Sequence, residues 1–181
     1  MNTLKNKFLT IIAVLVFSSV SVTAGDPSQK LTKLEKEVRS ELISLPRVGV
    51  FDNLEFKVEG NTVTLYGQVV EPSSRKNAER FVSKIEGVTN VINNIEVLPL
   101  SGFDDRIRAQ ALRSIYNQAG LYRYLMGNNP SLRIVVKRGH VTLEGIVSDK
   151  TDAQLAVFAV RSLPDVFSVT SNLRTEKGRK L

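Results

Sequence analysis

One stretch of this chain is written twice, and that repeat limits the possible folds more than any other feature. Residues 63–69 read VTLYGQV and residues 141–147 read VTLEGIV. The step from 63 to 141 is an offset of 78, and it holds without a gap through roughly the next thirty positions. Under it Ala78 falls on Ala156, Val82 on Val160, Ile85 on Leu163, Val88 on Val166, Val91 on Val169, Asn94 on Asn172 and Ile95 on Leu173. One short motif can coincide by chance. Agreement at the apolar positions of three successive segments points to one supersecondary unit used twice.

Each segment of that unit has a physical reading. Leu54 to Val58 and Val63 to Val69 alternate apolar and polar residues, the period of half-buried strands, and Leu132 to Val136 and Val141 to Val147 do the same. Gly60-Asn61 and Arg138-Gly139 stand between them as two-residue turns, so each pair reads as a β-hairpin. The period then changes. Ala78, Phe81, Val82 and Ile85, like Ala156, Ala159, Val160 and Leu163, are spaced as one face of a helix. Ser73 or Ser74, and Ser148 or Asp149, are the expected helix caps, with Gly87 and Pro164 at the exits. Val88 to Leu98 and Val166 to Leu173 supply a closing strand. Ahead of the first hairpin, Leu31, Leu34, Val38, Leu42 and Leu45 form a helical stripe stopped by Pro46. Its counterpart runs from Asp104 through Ile107, Ala111, Leu112 and Ile115 to about Ala119.

The expected fold is therefore α+β: two tandem αββαβ modules, each with two helices packed on a three-stranded mixed sheet. The modules cover residues 31–100 and 103–175, with Leu100-Ser101-Gly102 as the hinge between them. About seventy residues per copy is close to the lower limit for independent stability, so the two are expected to pack on one another.

The segments VTLYGQV…AERFVSKIEGVTNVINNIEV and VTLEGIV…AQLAVFAVRSLPDVFSVTSNL resemble BON domains of bacterial envelope proteins. In that family a VTLxGxV strand with a fixed glycine precedes an amphipathic helix, and a GVxxVxNxI strand closes the module. Gly67 and Gly145 match the glycine, and Gly87, Val88, Val91, Asn94 and Ile95 match the closing strand, with Asn172 in the second copy. The second copy departs by carrying Asp165 where the first has Gly87. The resemblance implies a non-enzymatic protein of envelope maintenance. The family's suggested roles are phospholipid binding and chaperone-like holding under envelope or osmotic stress. A soluble periplasmic member, similar to the osmotically inducible kind, fits best.

Residues 1–24 read as an address. Lys5 and Lys7 give a positive start, Phe8 to Phe17 is apolar apart from Thr10, and Val22-Thr23-Ala24 offers a cleavage site. The apolar run is about half of the roughly 20 residues that span a bilayer. A cleaved secretory signal peptide and a periplasmic location are expected, followed by a linker at 25–30. The chain has no cysteine, which excludes disulfides, thiolate metal sites, cysteine nucleophiles and the acylated lipoprotein branch of the family. Residues 176–181 read as a disordered basic tail.

Nothing in the chain makes a catalytic or metal constellation, and no cofactor is expected. His140 is the only histidine and adjoins a hairpin turn, where solvation accounts for it. Asp104 with Asp105, and Asp149 with Asp152, sit at helix starts, where the helix dipole accounts for carboxylates. Nucleic acid is excluded by the lack of the GXXG loop that a KH-like αββαβ module needs.

Two partners remain. The net charge of +7, part of it from the leader lysines, is a mild basic bias. Arg106, Arg108, Arg113 and Arg123 gather around the first helix of the second module, and Tyr122 and Tyr124 lie beside Leu121, Leu125 and Met126. Arginines among aromatic and apolar side chains suit the surface of an anionic phospholipid membrane. By resemblance, lipid contact in dual-module relatives also involves the second copy. The competing expectation is a periplasmic protein-binding or holdase role through sheet faces or strand edges, toward envelope proteins. Salt separates the two, since only the arginine-driven contact fades with ionic strength.

Overall fold

The computed structural model describes residues 32–127 and 129–176. The segments expected to be a signal peptide and a linker at 25–30, Leu31, Asn128 and the basic stretch beyond Glu176 lie outside the described residues. The element order is α1 (Lys33–Ile43), β1 (Asn53–Glu59), β2 (Thr62–Val69), α2 (Pro72–Val82) and β3 (Asn90–Val97), and then α3 (Gly102–Tyr116), β4 (Leu132–Lys137), β5 (His140–Val147), α4 (Lys150–Arg161) and β6 (Ser168–Thr175). A short 3₁₀ turn, Leu121–Tyr124, is added after α3. This is the αββαβ unit twice, in the fold the repeat implies.

Each module builds one sheet, in the order β1-β2-β3 or β4-β5-β6. The hairpin strands pair antiparallel and the third strand pairs parallel to the second, because α2 or α4 carries the chain back across the sheet. The alternating residues Val63, Leu65 and Val69 point under Val38, Leu42, Ala78 and Val82, and Val141, Leu143 and Val147 point under Ile107, Ala111, Ala156 and Val160. The hairpin turns differ in detail. Gly60 takes φ 60 in the first, whereas in the second Arg138 (φ 53) and Gly139 (φ 79) are both left-handed, the geometry of a type I′ turn.

The family glycines have a steric cause. Gly67 sits at φ 110 and Gly145 at φ 118, and a Cβ at either would come within 2.0 Å of the carbonyl oxygen of Asn53 or Ser131. Only glycine lets the backbones meet so closely. Of the matched asparagines, Asn172 donates to Glu144 Oε1 at 2.7 Å. Asn94 is exposed opposite Tyr66. It is Asn93 whose amide ties the strand to Arg75 O and Glu79 Oε2, each at 3.0 Å. Gly87 turns the chain at φ 92 before β3.

Two local expectations need correction. α2 is capped at Glu71 with Pro72 as its first residue, not by Ser73 or Ser74; the fixed φ of proline starts the helix, and Ser74 is buried inside it. Leu100-Ser101-Gly102 is not a free hinge. Ser101 caps α3 by accepting from Asp104 N at 3.1 Å, and Gly102 is the first residue of that helix.

The modules are joined by more than the link. The segment between α1 and β1 lies along the edge strand β4, with Val50 O accepting from Ile134 N and Gly49 O accepting from Arg133 Nη1, both at 2.8 Å. Val50 and Phe51 pack against the hydrophobic core of the second module. Lys137 and Glu96 form an ion pair across the junction at 2.5 Å. Asp52, 4% exposed, anchors the segment by accepting from Gly49 N at 2.8 Å and Val70 N at 2.7 Å. Burial pushes its carboxyl above the ordinary value, opposed by those two N–H groups and by the positive charges of Arg133 and Arg108.

Candidate membrane-contact face

The six residues expected at a membrane surface divide into two groups. Arg106 and Arg113 lie on the solvent side of α3 in a stripe with Ala109 and Tyr116, all exposed and spaced three, four and three apart. The opposite side of the helix holds Ile107, Ala111 and Ile115 in the core. Tyr122 is half exposed beyond the end of α3, with its ring 6.2 Å from that of Tyr116.

Arg108 and Tyr124 are inside, against expectation. Arg108 is 3% exposed; it donates to Val136 O at 2.8 Å and pairs with Asp105. Its guanidinium pins α3 to β4 and is not available to a headgroup. Tyr124, 6% exposed, donates its hydroxyl to Asp152 Oδ2 and accepts from Ser148 N at 2.9 Å. Arg123 lies between the groups. It is half exposed and over the Tyr124 ring, yet it donates to Asp152 Oδ2 at 2.5 Å and to the Tyr124 hydroxyl at 2.8 Å. The hydrogen bond it donates to the Tyr124 hydroxyl holds that guanidinium's pKa above its ordinary value, with the negative charges of Asp152 and Asp149 adding to the effect.

This clasp answers a need that the first module meets differently. Under the repeat offset, Ser148 corresponds to Val70 and Asp152 to Ser74. The N–H of Val70 is satisfied by Asp52, and that of Ser148 by Tyr124. Ser74 Oγ, in contrast, is left buried with no partner among the described residues. Asp149 caps α4 through Asp152 N at 3.0 Å. Asp104, 1% exposed, does more than sit at a helix start: its two carboxylate oxygens accept from Arg138 N and Gly139 N, each at 2.8 Å.

By gripping that turn, Asp104 fixes a group that sequence reasoning missed. Phe167 is 68% exposed and lies against the turn, donating its N–H to Gly139 O at 2.9 Å. Its ring is 5.7 Å from Phe103 and edge-on to His140 at 5.8 Å, and Arg106 lies over Phe103 at 5.6 Å. His140 is exposed and shares a 2.7 Å hydrogen bond with Ser168 Oγ. The stripe on α3 thus runs from an exposed phenylalanine at one end, past Arg106 and Arg113, to Tyr116 and Tyr122 at the other. The only signal in the sequence was Phe167 standing just past Pro164-Asp165, where its partner in the first copy is Thr89. Among the described residues no group of three or more His, Asp or Glu side chains converges as a metal site would, and no helix is long and apolar enough to cross a membrane.

The sequence profile of the BON domain family matches residues 30–99 and again 104–177. No curated protein matches the chain. Similar solved structures include two of CdsD, a structural protein of the type III secretion system of Chlamydia trachomatis, each 11% identical to this chain. The first, of its C-terminal domain, covers 80% of this chain and 98% of its own at a TM-score of 0.30. The second covers 80% and 92% at a TM-score of 0.29.

Proposed function

The chain belongs to the BON domain family, one domain per module, and from that premise we propose that it is a non-enzymatic envelope protein that attaches peripherally to anionic phospholipid through the outer face of α3. The observation that carries this reading is the exposed stripe itself. Arg106 and Arg113 stand between Phe167 at one end and Tyr116 and Tyr122 at the other, all three of these rings at least half exposed. Rings of this kind rest at headgroup depth while guanidinium groups meet phosphates. Each basic residue near an anionic surface contributes about 1 kcal/mol, so the attachment is weak and sensitive to salt.

A periplasmic location after signal-peptide cleavage is part of the same proposal, supported by the leader pattern at residues 1–24 and by a family that is typically envelope-associated. Co-flotation with vesicles tests the reading. The protein should float with anionic but not neutral vesicles at low salt, and Arg106→Glu with Arg113→Glu should abolish it. Flotation unchanged by that double reversal would sink the proposal. Arg108 is left out of the variant because its loss would unfold the module before it tested any surface.

A further inference from the structure

The two modules line one equivalent groove with opposite chemistry. In the first, the groove between α2 and the edge strand β3 measures about 420 Å³, is lined by Lys76, Glu79 and Arg80, and has a polar latch beside it. Arg75 donates to Asn93 O at 3.3 Å, and the Asn93 amide returns to Arg75 O and to Glu79 Oε2. Under the repeat offset those three residues become Ala153, Ser171 and Val157, and Arg80 becomes Phe158. Every part of the latch is gone. What is left between α4 and β6 is an open groove of about 470 Å³, floored by Ala153 and Val157 and walled by Phe158, which is 67% exposed.

Beside that groove runs a strand with an unused side. Among the described residues β6 pairs only with β5 and is the outer edge of its sheet. Its free backbone groups can form a further ladder, and an apolar trough alongside can take alternate side chains of the added chain. Lys150 and Arg161, the first and last residues of α4, stand at the two ends of the groove, and no carboxylate is among its lining residues. They are separated by about 16 Å, which an extended chain covers in about five residues.

From this we infer that the α4–β6 groove binds an extended polypeptide segment with alternating apolar side chains and acidic residues at its ends, by strand addition to β6. Main-chain bonds to the edge supply the affinity, Phe158 and Val157 select apolar side chains, and the terminal cations select the flanking charge. The equivalent groove of the first module does not suit this segment, because Lys76, Glu79 and Arg80 line it in place of apolar side chains and Arg75 and Asn93 bond across its edge. The site lies on α4, apart from the stripe on α3, and does not depend on the lipid reading.

The test uses a fluorescein-labelled hexapeptide of alternating valine and threonine with glutamate at each end, and a twin ending in lysine. Anisotropy with the full purified protein should show the acidic-ended peptide binding at least about tenfold tighter than its twin. Ala153→Arg with Val157→Glu and Ser171→Asn rebuilds the latch of the first module, which that module shows to be compatible with the fold. It should weaken peptide binding by at least about tenfold while leaving vesicle flotation unchanged. Amide exchange should slow along Ser168–Thr175 when the peptide is added. No binding, binding that survives the latch, or protection appearing outside β6 would overturn the inference. So would sedimentation showing that β6 is occupied by a second copy of the chain, with the latched variant monomeric.

Discussion

Alanine at Gly67 or Gly145 should cost far more stability than alanine at Gly87, although all three have positive φ. Gly87, at φ 92, has nothing within 4 Å of where a Cβ would stand. Alanine there therefore adds only backbone strain, about 1–3 kcal/mol. At Gly67 and Gly145 the same strain is joined by a collision, since the new Cβ would lie 2.0 Å from Asn53 O or Ser131 O. The obstacle is a backbone carbonyl on the paired strand, and no rotamer change relieves it. Restoring ordinary contact requires parting β1 from β2, or β4 from β5, by more than about 1 Å, which breaks about three neighbouring ladder bonds worth about 1 kcal/mol each. The sum is about 4–6 kcal/mol, a large share of the 5–15 kcal/mol that holds a typical domain. Urea unfolding followed by circular dichroism measures it. With a slope of about 1–3 kcal/mol/M, the midpoint should fall by about 2 M or more for Gly67→Ala and Gly145→Ala, and by about 1 M for Gly87→Ala. Equal losses at Gly67 and Gly87 would refute the reasoning, because the strand contact would then contribute nothing.

Three further outcomes follow from buried groups. Ser74→Ala should raise stability by about 1 kcal/mol, since it removes a buried hydroxyl that has no partner among the described residues, and an unchanged or lower urea midpoint would contradict this. Asp52 has a folded pKa raised by burial, so its ionisation opposes folding. Its cost is absent below the unfolded value of about 3.9 and grows as pH rises from there through the folded value. The stability difference between the wild type and Asp52→Asn should therefore shift in favour of the wild type as pH falls from 7 toward 4.5, and a flat difference would exclude the raised pKa. Phe51→Ala removes a ring that the first module places on the core of the second, and should lower the melting temperature of the second module as read by near-ultraviolet signals from Tyr116, Tyr122 and Tyr124. A melt identical to the wild type would mean that the modules are stable independently of one another.

The repeat made the strands and helices legible because the hydrophobic pattern needs only local geometry. The hairpins at Gly60-Asn61 and Arg138-Gly139, the helix stripes and the strained glycines were all visible in spacing alone. The interior polar groups were not, although part of the signal was present. Asp104, Ile107, Arg108, Ala111 and Ile115 follow one helical face, so the spacing itself places Arg108 and Asp104 toward the core. Reading arginine as a surface residue overrode it. Burial was possible because Val136 O and Asp105 meet the guanidinium, and the hairpin turn meets Asp104. Val136 and the hairpin turn come from elements about thirty residues away and leave no local pattern. Tyr124 was misplaced for the same reason, its hydroxyl being taken up by Ser148 and Asp152. Phe167 entered the candidate face only once the fold brought it against Phe103 and Gly139, and Pro72 outweighed the serines after it because it fixes the start of α2. The open groove beside β6 became visible only when one module was laid on the other in three dimensions.

The most direct test of the membrane reading uses the natural lack of cysteine. Ala109→Cys, between Arg106 and Arg113 on the exposed side of α3, accepts a polarity-sensitive NBD label without competition, and Gln154→Cys on α4 serves as the control. On adding anionic vesicles at low salt, the label at position 109 should brighten and shift to the blue, reverse when salt is raised, and stay silent with neutral vesicles, while the label at 154 stays unchanged throughout. A silent label at 109, or an equal response at 154, would contradict attachment through the outer face of α3.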